Sequence, residues 1–103
     1  MKTNLWESVL LDYTLSDEKK GILGLNRDLL FEDLQERERK ILKLRFDELG
    51  NVCQTLQTIA LMYRLGQERI RQIVARATVR LRHPRTLMKI KNLFQTTLNH
   101  KQP

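Results

Sequence analysis

From Thr55 to Leu81 apolar residues recur every three or four positions, and only Arg64-Leu65-Gly66 interrupts the pattern. That is the period of an α-helix. Leu56, Ile59, Ala60 and Tyr63 mark a short helix with Thr55 as its N-cap. Ile70, Ile73, Val74, Ala77 and Leu81 mark the inward stripe of a longer one, from about Gln67 to Leu81, which Pro84 is expected to stop. A short helix, a tight turn with glycine and a longer basic helix make a helix-turn-helix. Ala60 is small where the helices cross, and Ile59, Leu65 and Ile70 can fill the wedge between them. Spacing alone would serve an ordinary helical hairpin as well, so the polar residues of the second helix must decide.

The rest of the chain reads as helical too, with few alternating β-branched runs and no Asn-Gly or Asp-Gly hairpin turn. Leu5, Val9, Leu10 and Tyr13 form one face of a first segment, flanked by Trp6. Ser16, followed by Asp17 and Glu18, caps a second helix that Gly21 and Gly24 are expected to end. A third, at about 35–46, buries Leu34, Ile41, Leu42 and Phe46 and turns Glu36, Arg37, Arg39, Lys40 and Lys43 outward. Residues 47–54 are a loop. Leu87, Ile90, Leu93, Phe94 and Leu98 mark a final helix. The expectation is an all-α bundle in two parts: a helical extension over 1–33 and a helix-turn-helix domain with a C-terminal helix over 34–103.

Composition removes several classes of function. The 103 residues leave no room for a large catalytic fold, and no apolar run approaches the roughly 18 residues of a membrane span. The N-terminus lacks the basic and apolar regions of a signal peptide. Cys53 is the only cysteine, which excludes an internal disulfide and a cysteine-based zinc site. His83 and His100 are not at ligand spacing, and Gly21 and Gly24 lack the lysine and hydroxyl residue of a phosphate-binding loop. No catalysis, cofactor, metal or membrane contact is expected, and the single cysteine suits a reducing, intracellular home.

The net charge of +7 is uneven. Residues 1–63 carry nine Lys and Arg against eleven Asp and Glu, a balance of −2, whereas residues 64–103 carry ten against Glu68 alone, a balance of +9. A basic half of this kind suits a polyanion. Gln67, Glu68, Arg71 and Gln72 fall on the outward side of the first two turns of the second helix, where a recognition helix meets base edges. Arginine can grip guanine, glutamine adenine and glutamate cytosine. Arg69, Arg76 and Arg80 are placed for phosphates. The plainer reading of these residues is a solvated charged face, but a glutamate among arginines would only weaken pure phosphate binding.

These residues carry a resemblance. Arg37-Glu38, Ile41-Leu42-Lys43-Leu44-Arg45-Phe46, Thr55-Leu56, Glu68-Arg69-Ile70-Arg71-Gln72-Ile73, Ala75, Ala77 and Leu81-Arg82-His83-Pro84 stand in the order and spacing of region 4 of bacterial primary sigma factors. The likeness runs from Leu34 to Pro84, about half of the chain, and implies a winged-helix-like helix-turn-helix of the sigma region 4 type, at home in the cytoplasm of a bacterium, free or phage-infected, on the nucleoid. It implies that Glu68, Arg71 and Gln72 read the −35 element of double-stranded promoter DNA and that Arg37, Thr55 and Arg69 touch the DNA backbone. It also implies that Phe46, with Ile41, Leu42 and Leu44 nearby, meets the flap-tip helix of the RNA polymerase β subunit, some of these being core instead.

Departures from the family pattern matter as well. Gln67 stands where the family has a base-reading arginine, a loss of about 1–3 kcal/mol of discrimination at one base pair. Gly66 replaces a capping threonine, Val74 a glutamate, and Val79 a basic residue that helps meet activators. Relaxed or altered sequence reading is expected. Residues 1–33 are too short for the other sigma domains and show no basic-aromatic melting motif, so initiation by this chain alone is not expected. Two roles stand open for the apolar residues of 1–33: packing onto the domain, or a surface for a further partner or for self-association. The functional expectation is a partial sigma factor or a competitor of the resident sigma. The alternatives are a dimeric helix-turn-helix regulator independent of polymerase and a sigma mimic that only binds protein.

Overall fold

In a computed structural model of the chain, residues 4–99 are described, with the side chains of 98 and 99 left aside. They form α1 (Leu5–Leu10), α2 (Asp17–Leu25), α3 (Arg27–Leu30), α4 (Glu36–Arg45), α5 (Leu56–Tyr63), α6 (Gln67–Arg80) and α7 (Pro84–Asn99). Among the described residues the only β pairing is a single antiparallel bridge, Phe46 to Val52, in the loop between α4 and α5. After α6 the chain enters α7 directly, with no β-hairpin between them.

Local chemistry sets most helix starts. The Thr55 hydroxyl accepts from the Thr58 N–H (3.0 Å) and the Ser16 hydroxyl from the Lys19 N–H (3.2 Å). The Glu38 carboxylate reaches back to the Gln35 N–H (3.0 Å) and so seals α4, whose flanking residues Gln35 and Phe46 lie just outside it. Between α5 and α6, Arg64 takes the left-handed conformation (φ 54°) and Leu65 N–H returns to the Ala60 carbonyl (3.0 Å), which makes the turn tight.

Packing divides into two apolar clusters. Ile41, Ile59, Ala60, Ile70 and Ile73 fill the space between α4, α5 and α6. The larger cluster joins Leu5, Trp6, Val9, Leu15, Leu23, Leu30, Phe31, Leu34, Leu42, Phe46, Ala77, Leu81 and Ile90, and so draws residues of α1–α3 and α7 onto the far half of α6. Val74 packs against both clusters, which makes α6 their common wall.

Five expectations need correction. Trp6 is no flank: it is 1% exposed and stacks at 6.0 Å, ring centre to ring centre, from Phe31. Tyr13 lies beyond the end of α1 and is exposed. Gly21 and Gly24 sit inside α2, which runs on to Leu25; Gly24 is there because a Cβ would come within 2.2 Å of the Glu48 carbonyl oxygen. Pro84 does not simply stop α6, which has already ended at Arg80, but opens α7, where its missing N–H costs nothing. On the final helix Ile90 is buried and Leu93 and Phe94 half-buried, but Leu87 is largely outside the core and the buried Thr86 takes a place on the inner face. Leu98 and His100 fall outside the residues whose side chains are described.

Candidate nucleic-acid interface

The stripe of Ile70, Ile73 and Ala77 that anchors α6 leaves its opposite side in solvent, and the residue order then decides what is displayed. Gln67, Glu68, Arg71 and Gln72 are all exposed there. Glu68 and Arg71, one turn apart, form a fork: Arg71 Nε donates to both carboxylate oxygens (3.1 and 2.9 Å) and Nη2 donates to one of them. The hydrogen bond holds the Glu68 carboxyl below its ordinary pKa and raises that of the Arg71 guanidinium. The pair is thus charged and oriented before any ligand arrives. Nη1 and one Nη2 proton of Arg71 stay available for an outside acceptor.

Arg37, Arg69, Arg76 and Arg80 come together, four of the five residues expected to meet the DNA backbone. They line one groove between the start of α4 and the length of α6, with Gln35, Glu38 and Ile73. Arg69, Arg76 and Arg80 share a face because spacings of seven and four return a helix to nearly the same direction. Arg80 is anchored by Nη1 to Glu38 (2.9 Å), a largely buried carboxylate that also caps α4. Thr55 lies elsewhere: its hydroxyl is occupied as the α5 cap and bonds the Thr58 hydroxyl (2.9 Å).

Sequence reasoning gave Glu38 no role. Its position three residues after Gln35 was a readable capping signal, but its pairing with Arg80 joins residues 42 apart. His83 caps α7, its Nδ1 accepting from the Arg85 N–H in the first turn (3.1 Å).

Among the residues expected at the polymerase flap, Ile41 and Leu42 are fully buried and cannot touch a partner. Leu44 is half-buried against the α4–α5–α6 cluster. Phe46 is only 7% exposed, at the wall of a second, mostly apolar groove shared with Val52, Leu56, Val74, Thr78 and Val79. Arg45 and Arg82 stand at its rim. Arg45 donates to the Gln54 carbonyl (2.8 Å), and burial lowers its pKa; Arg82 donates to the Ser8 carbonyl (3.1 and 2.9 Å). This groove was not legible in the sequence, because its wall combines four separate segments.

Among the described residues no group of three or more His, Cys, Asp and Glu is placed to hold a metal ion, and no helix is long and apolar enough to cross a membrane.

Comparison with known proteins adds to this geometry. The profile of the family described as sigma-70, region 4, matches residues 30–83. The probable RNA polymerase sigma-C factor of Synechocystis sp. is 32% identical over 96 residues, covering 86% of this chain and 24% of its own length. The RNA polymerase sigma factor SigA of Nostoc sp. is 36% identical over 85 residues, 76% of this chain and 22% of that protein. SigA of Lactococcus lactis subsp. cremoris is 35% identical over 75 residues, 73% of this chain and 20% of that protein. The chain therefore spans a quarter or less of each of these relatives. No solved structure gives a significant match.

Proposed function

Because the chain belongs to the sigma-70 region 4 family, a family of non-enzymatic transcription factors, we propose that it binds promoter DNA at a −35-like element and docks on the RNA polymerase β flap. It acts in this reading as a partial sigma factor or as a competitor of the resident sigma. The observation that carries the proposal is the combination on α6: Glu68, Arg71 and Gln72 exposed at its start, and three arginines along its side completing a basic groove with Arg37. The first set suits base edges in the major groove and the second suits phosphates.

Gln67 and the uncapped Gly66 support altered reading of the element. Glutamine pairs with adenine where arginine would take guanine. Docking on the flap is supported by the apolar groove beside Phe46, which suits an apolar helix and carries arginines at its rim.

Gel-shift titrations with double-stranded −35-like DNA test the first part. Arg71→Ala should weaken specific binding by about 1–3 kcal/mol and relax one position. Arg76→Ala should weaken all sequences alike and flatten the salt dependence by about one counterion. Equal loss on specific and random DNA for Arg71→Ala would refute the readout. Transcription with core polymerase and resident sigma then separates the two modes, since a competitor lowers −35-dependent output and a partial sigma raises it at selected promoters.

A further inference from the structure

The groove beside Phe46 and the recognition face share a residue. Arg71, Val74, Ala75, Thr78, Val79 and Arg82 all line the groove, and their spacings of three and four make them one stripe along α6 and the turn after it. The stripe is about 16 Å long, close to three helical turns. Between its two arginines it is apolar or small: Val79 is 59% exposed, Val74 half-buried, and the Thr78 hydroxyl is already spent on the Val74 carbonyl (2.8 Å). Val74 and Val79 are two of the positions where this chain is apolar and the family pattern charged. Such a floor suits the apolar face of a helix laid along α6.

Its rim is cationic. Arg45, Arg71 and Arg82 line the groove, and among the described residues that line it there is no carboxylate. Arg45 and Arg82 each spend only part of their guanidinium on the Gln54 and Ser8 carbonyls and keep N–H groups for an outside acceptor. Arg71 is the most constrained of the three. Glu68 occupies its Nε and one Nη2 proton, so a single bidentate edge remains, Nη1 with the second Nη2 proton. A guanine and a carboxylate both fit that edge, and it takes one of them at a time.

We propose that the occupant of this groove is an amphipathic helix of about three turns whose apolar face meets Val74, Val79 and Phe46 and whose carboxylate takes the free edge of Arg71, so that filling the groove and reading a base with Arg71 exclude each other. The inference rests on the docking reading above, in which the occupant is the flap helix, and adds its charge and its linkage to DNA. Of the two modes above it favours the competitor, because a chain seated on polymerase loses one of its base contacts.

The test titrates the full chain with an isolated fragment of the β flap and follows the anisotropy of a label on the fragment. Without DNA, Arg71→Gln should weaken the fragment about twofold to fivefold, and added salt should shrink the difference. A chain saturated with −35-like duplex should bind the fragment more weakly, by about the same factor, than a chain saturated with random duplex of equal length, which engages phosphates alone. In the Arg71→Gln chain the two duplexes should give equal affinities, and by reciprocity the fragment should weaken specific DNA by the factor that DNA weakens the fragment. Circular dichroism checks each fold, and Val79→Asp, at an exposed site on the floor, tests docking if Phe46→Ala does not fold. Docking that needs Phe46 or Val79 but is unchanged by Arg71→Gln, or equal on the two duplexes, overturns the inference and leaves the docking reading standing. No binding, or binding indifferent to both apolar substitutions, removes the docking reading and the inference together.

Discussion

The two apolar clusters are built on different principles. Around Ile41, Ile59, Ala60, Ile70 and Ile73, helices α4, α5 and α6 meet through regularly spaced aliphatic side chains, and each helix start is closed by its own sequence neighbours or, at Gly66, left open. Around Trp6, α1 is held by hydrogen bonds to carbonyls at 48–50, the Asn51 side chain and the Arg82 guanidinium, groups that no periodicity names. The first kind of cluster is written in side-chain spacing; the second depends on where loops come to lie. The candidate sites follow the same division. Helix α6 displays Glu68, Arg71 and Gln72 beside the first cluster, and α1 sits beside Phe46 in the second.

Breaking each cluster at its centre is the strongest way to compare them. Trp6→Ala should cost about 3–5 kcal/mol and Ile70→Ala about 2–5 kcal/mol. Because Val74 touches both clusters, each substitution is expected to lower one shared thermal transition, by about 4–8 °C per kcal/mol. Scanning calorimetry of the two variants checks this. A Trp6→Ala chain that keeps the wild-type melting temperature for α4–α6 would show two independent units.

Gly24→Ala sharpens the comparison at the loop side. The added methyl would strike the Glu48 backbone, and a loss of about 1–3 kcal/mol is expected from overpacking. Gly21→Ala, with open space around the position, should instead stabilise by about 0.5–1 kcal/mol. Urea midpoints with an unchanged slope would register both, in opposite directions.

Gly66→Ser probes the open helix start of the other half. Nothing lies within 4 Å of a Cβ at that position, and its backbone (φ −71°, ψ 152°) suits an N-cap. A gain of a few tenths of a kcal/mol is expected, with DNA binding as the second readout.

The smallest effect belongs to the Glu68–Arg71 fork. Its hydrogen bond keeps Glu68 below the ordinary carboxyl value of 4.5. A group with a lowered folded pKa adds stability that is present above the unfolded value and lost as pH falls through the folded one. Both groups are solvent-exposed, so melting curves should barely respond. Carboxyl carbon NMR should place the Glu68 midpoint below that of an isolated glutamate, and Arg71→Ala should bring it back up.

Much of this was legible before any coordinates. Thr55, the Arg64–Gly66 break and the Ile70/Ile73/Ala77 stripe placed α5 and α6 within a residue, because capping and helical periodicity act over one to four positions. The exposed side of α6 followed from the same stripe, with its candidate base-reading residues. Gly24 misled because glycine is read as a helix breaker, whereas here it answers a backbone 24 residues away. Trp6 misled because its partners, Phe31 and the Glu48 carbonyl, lie on other segments. Ile41, Leu42 and Phe46 read alike in a row of apolar residues, and only packing separated the first two, fully buried, from the third at the edge of a groove.

By itself the sequence determined the helices, the turn between α5 and α6, the basic half and the face that α6 turns outward, since each depends on neighbours a few residues apart. Tertiary structure alone decided that Arg37 joins three arginines of α6 in one groove, that Glu38 holds Arg80, and that α1 sits beside Phe46. Those contacts join residues dozens of positions apart, and it is the burial of two shared apolar clusters, rather than any local preference, that brings them together.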